Sequence, residues 1–220
     1  MSLIARRNFF ALFTRVLASG AVLRWGAGGG SWAMAKEGGW VGLWDGKSLA
    51  GWRKTDFAGG GEVRVSVEGV RVDAGEELSG FHFAGKPPTL GYELEVEAQR
   101  RSGLDFFCAV TFPVGDRFLT LVGGGWGGST VGLSSIDRAD ASQNETTSVR
   151  TFQDNVWYRV RLRVEAERIQ SWINEERVVN LDPRGKDLDL RPGEIDLSRP
   201  LGFATFRTEA LFRNIRVRRL

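Results

Sequence analysis

Cysteine and histidine are nearly absent from this chain of 220 residues, which contains one of each, Cys108 and His82. With a single cysteine no intrachain disulfide can form, so the fold must be stabilised by its core. Cys108 lies in the apolar run 106–110, where a small buried side chain is expected rather than a nucleophile. His82 is a general base by residue type, but between Phe81 and Phe83 it also fits a rim position.

Acidic residues are absent from the first 35 residues, which carry four arginines, an apolar stretch over 9–23 and the tripeptide Ala-Met-Ala at 33–35. This pattern predicts an export signal peptide over residues 1–35 and one mature domain over 36–220. The pair Arg6 and Arg7, followed by Asn-Phe-Phe, is similar to a twin-arginine signal. An ordinary secretory leader or an uncleaved anchor is the alternative.

Long apolar runs are missing after the leader, so we expect no membrane span once it is removed. A periplasmic or extracellular bacterial protein is therefore expected. Loss of the four leader arginines takes the formal net charge from +3 to −1. Acids and bases then alternate along the chain without a continuous basic stripe, which argues against nucleic-acid binding.

Alternation of apolar and polar residues dominates what is present. It is clearest in residues 92–98, 160–164 and 215–218, where one side of each strand should face a core and the other water. Glu68-Gly69 and Asn174-Glu175 separate adjacent strand patterns and predict hairpins. About a dozen short strands without an amphipathic helix predict an all-β sandwich of two antiparallel sheets, with residues 182–200 as a crossing loop.

Two end motifs carry a family resemblance. The run Gly-Leu-Trp-Asp-Gly-Lys-Ser-Leu-Ala-Gly-Trp over 42–52 and the strand Phe-Arg-Asn-Ile-Arg over 212–216 resemble the two ends of the 3-keto-disaccharide hydrolase domain family. The resemblance implies a concanavalin A-like jelly roll and hydrolysis of disaccharides with a ketone at sugar carbon 3. The segment 102–108 is similar to a mid-domain strand of that family, with Cys108 where an arginine often lies. Arg207-Thr208-Glu209 stands where many relatives carry a histidine-containing turn.

Glycine surrounds Trp126 in the segment 123–129, which could present the indole face to a sugar ring. The alternative is a bulged strand and tight turn, with Trp126 folded over the sandwich edge. The loop that follows supplies candidate polar contacts to sugar from Asp137, Asp140, Asn144 and Glu145. These acids could also bind calcium, a possible cofactor, or be solvated loop residues, because their spacing matches no defined calcium loop.

Arg207 and Glu209 are two residues apart, so on one strand they would share a face and could bind sugar or pair with each other. The stretch Glu194-Ile195-Asp196-Leu197 is similar to the start of a laminarinase-type strand. Retaining hydrolysis needs a second carboxylate about 5 Å away. Ser198 and Arg199 stand where that second glutamate would be, so we expect Glu194 to lie in a turn.

The first functional hypothesis is an exported hydrolase for 3-keto-disaccharides or related glycosides. Asp105, Asp137 or His82 would remove the proton at carbon 2, and Arg207 or a bound cation would stabilise the enolate oxygen. The second hypothesis is a non-catalytic, lectin-like module that binds carbohydrate. A cell-envelope domain that contacts protein is the third. The sequence leaves the metal requirement, the sugar linkage and the oligomeric state open.

Overall fold

The computed structural model describes residues 39–220, so the predicted leader, residues 1–35, lies outside the described residues. This part of the chain forms fifteen β-strands, one short helical turn and one 3-10 helix. In chain order the strands are β1 (Val41–Gly42), β2 (Trp52–Lys54), β3 (Val63–Ser66), β4 (Gly69–Val72), β5 (Leu78–Phe83), β6 (Tyr92–Ser102), β7 (Cys108–Val114), β8 (Arg117–Gly124), β9 (Thr130–Ser134), β10 (Ser148–Val149), β11 (Trp157–Val164), β12 (Ile169–Ile173), β13 (Glu176–Leu181), β14 (Gly202–Phe206) and β15 (Glu209–Arg219). The helical turn is α1 (Gly125–Gly128), and the 3-10 helix is Glu194–Ser198.

The strands form two antiparallel sheets. The eight-stranded sheet has the order β13-β12-β11-β6-β15-β4-β3, with β1 also paired to β15. The seven-stranded sheet has the order β10-β9-β8-β7-β14-β5-β2. Phe81 on β5 and Phe212 on β15 meet between the sheets with ring centroids 5.5 Å apart. The predicted all-β sandwich of two antiparallel sheets is therefore confirmed.

The two end motifs meet in the eight-stranded sheet. Val41 and Gly42 pair with Val217 and Arg216, and the Leu43 amide donates to the Ile215 carbonyl at 2.8 Å. The first motif is then fixed by the indole of Trp52, which is buried and donates to the Leu43 carbonyl at 2.9 Å. Both end motifs therefore belong to the structural framework of the sandwich.

Strand β6 buries polar side chains that the alternating sequence predicts to be exposed. In β6 the apolar side chains Leu94 and Val96 are buried as expected, but Glu93 and Glu95 are only 2% and 6% exposed. Arg218 donates to Glu93 at 2.8 Å, and Arg216 donates to Glu95 at 2.6 and 3.0 Å. Long arginine side chains on β15 thus cover a face that alternation alone assigned to water.

Turns and loops follow the prediction in outline. Turns join β3 to β4 at Val67–Glu68 and β12 to β13 at Asn174–Glu175, where Asn174 has a φ of 56°. β10 has only two residues, and β7 begins within the apolar run 106–110, at Cys108. Residues 182–200 form the predicted crossing loop, and Glu194 begins its 3-10 helix rather than a strand.

The crossing loop lies against the outer face of the seven-stranded sheet. Side chains on that face are small where the loop approaches, and Ala109 on β7 and Ala204 on β14 are both buried there. Ile195 from the loop packs with them and with Phe57. A second, smaller apolar cluster therefore forms outside the main core, and a cleft opens beside it.

Candidate functional site

A cleft of about 490 Å³ lies on the outer face of the seven-stranded sheet. Its floor is built by five adjacent strands, which contribute Leu78, Ala109, Thr120, Val122, Ser134 and Phe206. Asp105, Phe106 and Trp126 enter from connections at one end, while Arg191 to Ile195 enter from the crossing loop. A mixture of apolar floor and a few polar groups is typical of small-molecule sites.

Asp105 is held in the cleft by backbone donors from both sides. One carboxylate oxygen accepts the Phe106 amide at 2.7 Å, and the other accepts the Gly127 amide at 3.2 Å. The Thr208 hydroxyl bonds the Asp105 backbone at 3.3 Å. Because a carboxylate can accept about four hydrogen bonds, each oxygen keeps a lone pair for a ligand. The carboxylate is therefore fixed in place but still available.

Trp126 lies at the centre of a left-handed turn. Its φ is 48°, and Gly124, Gly127 and Gly128 around it have φ values of 81°, 84° and 99°. Only glycine adopts such angles without steric cost, so the glycine-rich segment is what makes this turn possible. The Trp126 side chain lines the cleft and is 40% exposed. The guanidinium carbon of Arg191 lies 5.8 Å from the centre of its ring.

Charged groups in the cleft come from three separate connections. The described residues place Glu77, Asp105 and Glu194 in its lining as carboxylates and Arg191 as a cation. Glu194 accepts the Ala58 amide at 3.0 Å, and Glu77 lies 3.7 Å from Arg207. Arg191 lies 3.7 Å from Asp140. Acid, cation and aromatic side chains thus share one cavity.

The acidic loop predicted to contact sugar lies outside the cleft lining, and its side chains hold the loop together. Asn144 donates to the carbonyls of residues 133, 139 and 140 at 2.7–3.1 Å, and its own carbonyl accepts from Thr146. Asp137 accepts the Asp187 amide at 2.9 Å, while Glu145 pairs with Lys186 at 2.5 Å. Asp140 accepts from Ser142 at 2.6 and 2.9 Å and reaches the cleft only through Arg191.

Arg207 and Glu209 do not share the strand face that their spacing predicted. The chain passes from β14 to β15, and so from one sheet to the other, between them, and Arg207 has a φ of 48° at this crossing. Arg207 donates to the Glu76 carbonyl at 2.8 Å. Glu209 pairs instead with Arg71 on the eight-stranded sheet at 2.8 Å. The expected pair was wrong because a sheet crossing separates the two residues.

His82 lies on β5 outside the cleft lining, with its Nδ1 atom 3.0 Å from the Thr55 hydroxyl. Burial and the nearby charge of Arg53 lower the pKa of His82, so the neutral imidazole is favoured. Cys108 points into the main core, where burial raises the pKa of its thiol to about 12. Its thiol is therefore protonated and inert at neutral pH.

Metal binding remains a prediction. Within residues 39–220 no group of three or more His, Cys, Asp or Glu side chains is arranged to hold a metal ion. The acids of the 137–145 loop are each engaged by an amide, a hydroxyl or a cation, as described above. None of the helical segments in the same range is long and apolar enough to cross a membrane.

A family match accounts for nearly all of the described chain. The sequence profile of the 3-keto-alpha-glucoside-1,2-lyase-like domain matches residues 39–218. The chain belongs to that family. Membership places it among glycosyl-hydrolase-like or carbohydrate-binding domains and confirms the resemblance of its two end motifs. A search of curated proteins returns no match.

Solved structures share the fold of this 3-keto-alpha-glucoside-1,2-lyase-like domain. One is a protein described with endo-acting O-glycanases of the human gut microbiota that initiate mucin breakdown; it is 13% identical, with a TM-score of 0.54 over 82% of this chain and 100% of that one. Another is the apo form of Crh5 transglycosylase, which is 10% identical, with a TM-score of 0.52 over 78% of this chain and 68% of that one. At these identities the likeness establishes the jelly-roll fold alone.

The cleft of this lyase-like domain contains three side chains that sequence reasoning did not assign to a site. Glu77 precedes β5, and Arg191 and Glu194 flank the Pro192-Gly193 dipeptide. Glu77 and Arg191 lie in polar segments without a recognisable motif. Glu194 lies in the stretch that is similar to a laminarinase-type strand, but it was expected only in a turn. The other local signal was the proline and glycine of the crossing loop, since loops on a rigid scaffold often carry function.

Proposed function

We propose that this domain cleaves 3-keto-α-glucosides by an elimination across sugar carbons 1 and 2 that expels the glycosidic oxygen from carbon 1. The observation that carries the proposal is the position of Asp105, a fixed carboxylate in the same cleft as Trp126 and Arg191. Membership of the 3-keto-alpha-glucoside-1,2-lyase-like family supports the substrate class. We further propose that the protein is exported, because of the arginine-rich leader.

The chemistry requires one base and one stabilised oxyanion. The ketone at carbon 3 acidifies the hydrogen at carbon 2, so a carboxylate can remove that proton and leave an enolate. As the ketone re-forms, the enolate electrons form the carbon 1–carbon 2 double bond, the bond from carbon 1 to the glycosidic oxygen breaks, and the leaving oxygen takes up the proton that the base removed from carbon 2. Addition of water across the double bond then gives the free keto sugar, so the net reaction is hydrolysis.

Asp105 is proposed as the base, because its two amide bonds fix the carboxylate while leaving lone pairs free. Arg191 is proposed to stabilise the enolate oxygen, since its guanidinium enters the cleft from the opposite loop. Trp126 would stack on the sugar ring. Arg207 was first considered for the oxyanion. It is now proposed to position Glu77 at the cleft edge, because its guanidinium lies 3.7 Å from the Glu77 carboxylate.

A carbohydrate-binding module without catalysis is the second candidate. The partly exposed indole of Trp126 favours it, because an aromatic face and nearby polar groups suffice to bind sugar. The two candidates share the cleft and differ only in whether Asp105 acts as a base.

The test is to incubate residues 36–220 with 3-keto-trehalose and methyl 3-keto-α-glucoside and to follow sugar release. Asp105→Asn should lower kcat by about 100-fold or more while changing the sugar Kd little, because loss of a general base removes that much. Asp137→Asn is the matched control, since Asp137 lies outside the cleft, and it should retain wild-type turnover.

Each outcome separates the candidates. Sugar binding without turnover, lost in Trp126→Ala, would establish the binding module. Full turnover by Asp105→Asn would overturn its role as base, and loss in Asp137→Asn would move the reaction to the acidic loop. A parallel assay with a chelator tests the predicted cation, whose removal would lower turnover if calcium takes part.

A further inference from the structure

A row of hydroxyl groups crosses the floor of the cleft. Thr111 on β7, Thr120 on β8 and Ser134 on β9 are direct partners across adjacent strands. Their neighbours in sequence, Val110, Leu119 and Leu133, point into the main core, so by strand alternation the three hydroxyl side chains lie on the outer face. Thr120 and Ser134 line the cleft.

The hydroxyl of Ser134, at one end of the row, differs from the other two. Thr111 and Thr120 share one hydrogen bond of 3.0 Å. The hydroxyl of Ser134 has no hydrogen-bond partner among the described residues, although Ser134 is only 3% exposed. A buried hydroxyl left unpaired loses its bonds to water without replacing them, so natural folds keep few such groups without a reason.

The chemistry of a sugar fits this row. A hydroxyl can donate one hydrogen bond and accept two, and rotation about the single χ1 torsion of serine redirects it between staggered positions. The Thr111–Thr120 pair also has one proton left over, because only one of its two hydroxyls donates within the pair. The floor therefore offers two donors and several acceptors beside apolar Ala109 and Val122.

We infer that Ser134, with Thr120 beside it, is a substrate-positioning site that hydrogen-bonds one ring hydroxyl of the sugar and so fixes which face of the ring meets Asp105. This inference rests on the proposed function, because it places the ligand in the same cleft. Ser134 is a positioning residue, not a catalytic one.

The experiment combines Ser134→Ala with monodeoxy versions of methyl 3-keto-α-glucoside. Ser134→Ala should weaken binding of the parent sugar by about 2- to 13-fold, the range of one neutral hydrogen bond. For one deoxy sugar, binding to the wild-type protein should be weaker than binding of the parent sugar by the same factor. Ser134→Ala should bind that deoxy sugar and the parent sugar equally well. That non-additivity identifies the contacting hydroxyl. Thr120→Val, which keeps side-chain size, should show the same coupling more weakly.

Ser171→Ala is the matched control. Ser171 is also a buried serine with an unpaired hydroxyl, but it lies on β12 with its side chain directed into the main core. Both variants should keep or slightly raise the melting temperature, because each removes an unsatisfied group. Only Ser134→Ala should change sugar affinity.

Two results would overturn the inference and leave the proposed function standing. Unchanged affinity of Ser134→Ala for every sugar would show that the hydroxyl does not touch the ligand. A lower melting temperature with unchanged affinity would show that it bonds a structural water instead. If wild type neither binds nor cleaves any sugar of the panel, the proposed function fails and this inference fails with it.

Discussion

Single residues in this domain are placed by partners that are distant in sequence. Asp105 is fixed by an amide 22 positions away, and Arg216 covers Glu95 across 121 positions. Four residues were predicted to be catalytic from their type, namely Asp105, His82, Asp137 and Arg207. Of these four, only Asp105 lines the cleft. Chemistry at a site depends on convergence in space, which residue type alone does not report.

His82 gives a prediction about pH at this scale. Its pKa is lowered in the folded state by burial and Arg53, so the folded protein binds fewer protons than the unfolded chain as the pH falls. The stability contribution is therefore full above about pH 6.5, the unfolded pKa, and is lost as the pH falls below it. Denaturant unfolding between about pH 7.5 and pH 5 should show this loss.

His82→Gln should remove that part of the pH dependence, because glutamine does not titrate. Sugar turnover should stay within about twofold of wild type, since His82 lies outside the cleft lining. A wild-type pH slope in His82→Gln would show that other groups titrate there. A large loss of turnover would restore His82 as a candidate base.

Secondary-structure elements were predictable where one sheet face meets the core. β11 alternates as its sequence indicates, with Val160, Leu162 and Val164 buried. The same logic was wrong for Glu93 and Glu95, because it cannot foresee which side chains from a neighbouring strand will cover the outer face. The cleft was harder still, since its walls come from connections whose meeting depends on the whole topology. The glycine-flanked Trp126 was identified because its signal is local.

The turn that carries Trp126 gives a prediction at the scale of an element. Gly127 and Gly128 both have positive φ, but a Cβ on Gly127 would meet nothing within 4 Å, whereas one on Gly128 would lie 3.1 Å from Arg100 Nη1 and from the Leu104 carbonyl. Gly127→Ala should cost about 1–2 kcal/mol of unfolding free energy from backbone strain alone. Gly128→Ala should cost more, because its Cβ would in addition crowd the Leu104 carbonyl.

Denaturant unfolding of the two variants measures this difference directly. Gly128→Ala should also weaken sugar binding more than Gly127→Ala, because displacement of the turn moves Trp126. Equal losses of stability would mean that the neighbours of Gly128 relax at no cost and that only φ matters.

The whole molecule presents a cleft whose described carboxylates outnumber its cations. Glu77, Asp105 and Glu194 face Arg191, which Asp140 also neutralises. We therefore expect a neutral 3-keto glucoside to bind at least about tenfold more tightly than the corresponding uronate. The carboxylate of the uronate would be repelled by the carboxylates of the partly desolvated cleft. Raising the salt concentration from about 20 mM to about 500 mM should narrow the gap, since salt screens the repulsion.

Glu194→Gln should narrow the same gap at low salt by removing one of the negative charges. Calorimetry with the neutral and anionic sugars gives both affinities. A preference that neither salt nor Glu194→Gln alters would indicate steric selection rather than charge.

The position of β15 has a consequence for how the protein is made. This strand, the last in chain order, lies between β6 and β4 inside the eight-stranded sheet and also holds β1. A nascent chain therefore lacks an interior strand of this sheet until residues 209–219 have been synthesised, and its earlier strands have no completed sheet to join before then. Because such long-range pairing is slow to form, we expect the domain to reach its native structure only after this strand has been synthesised.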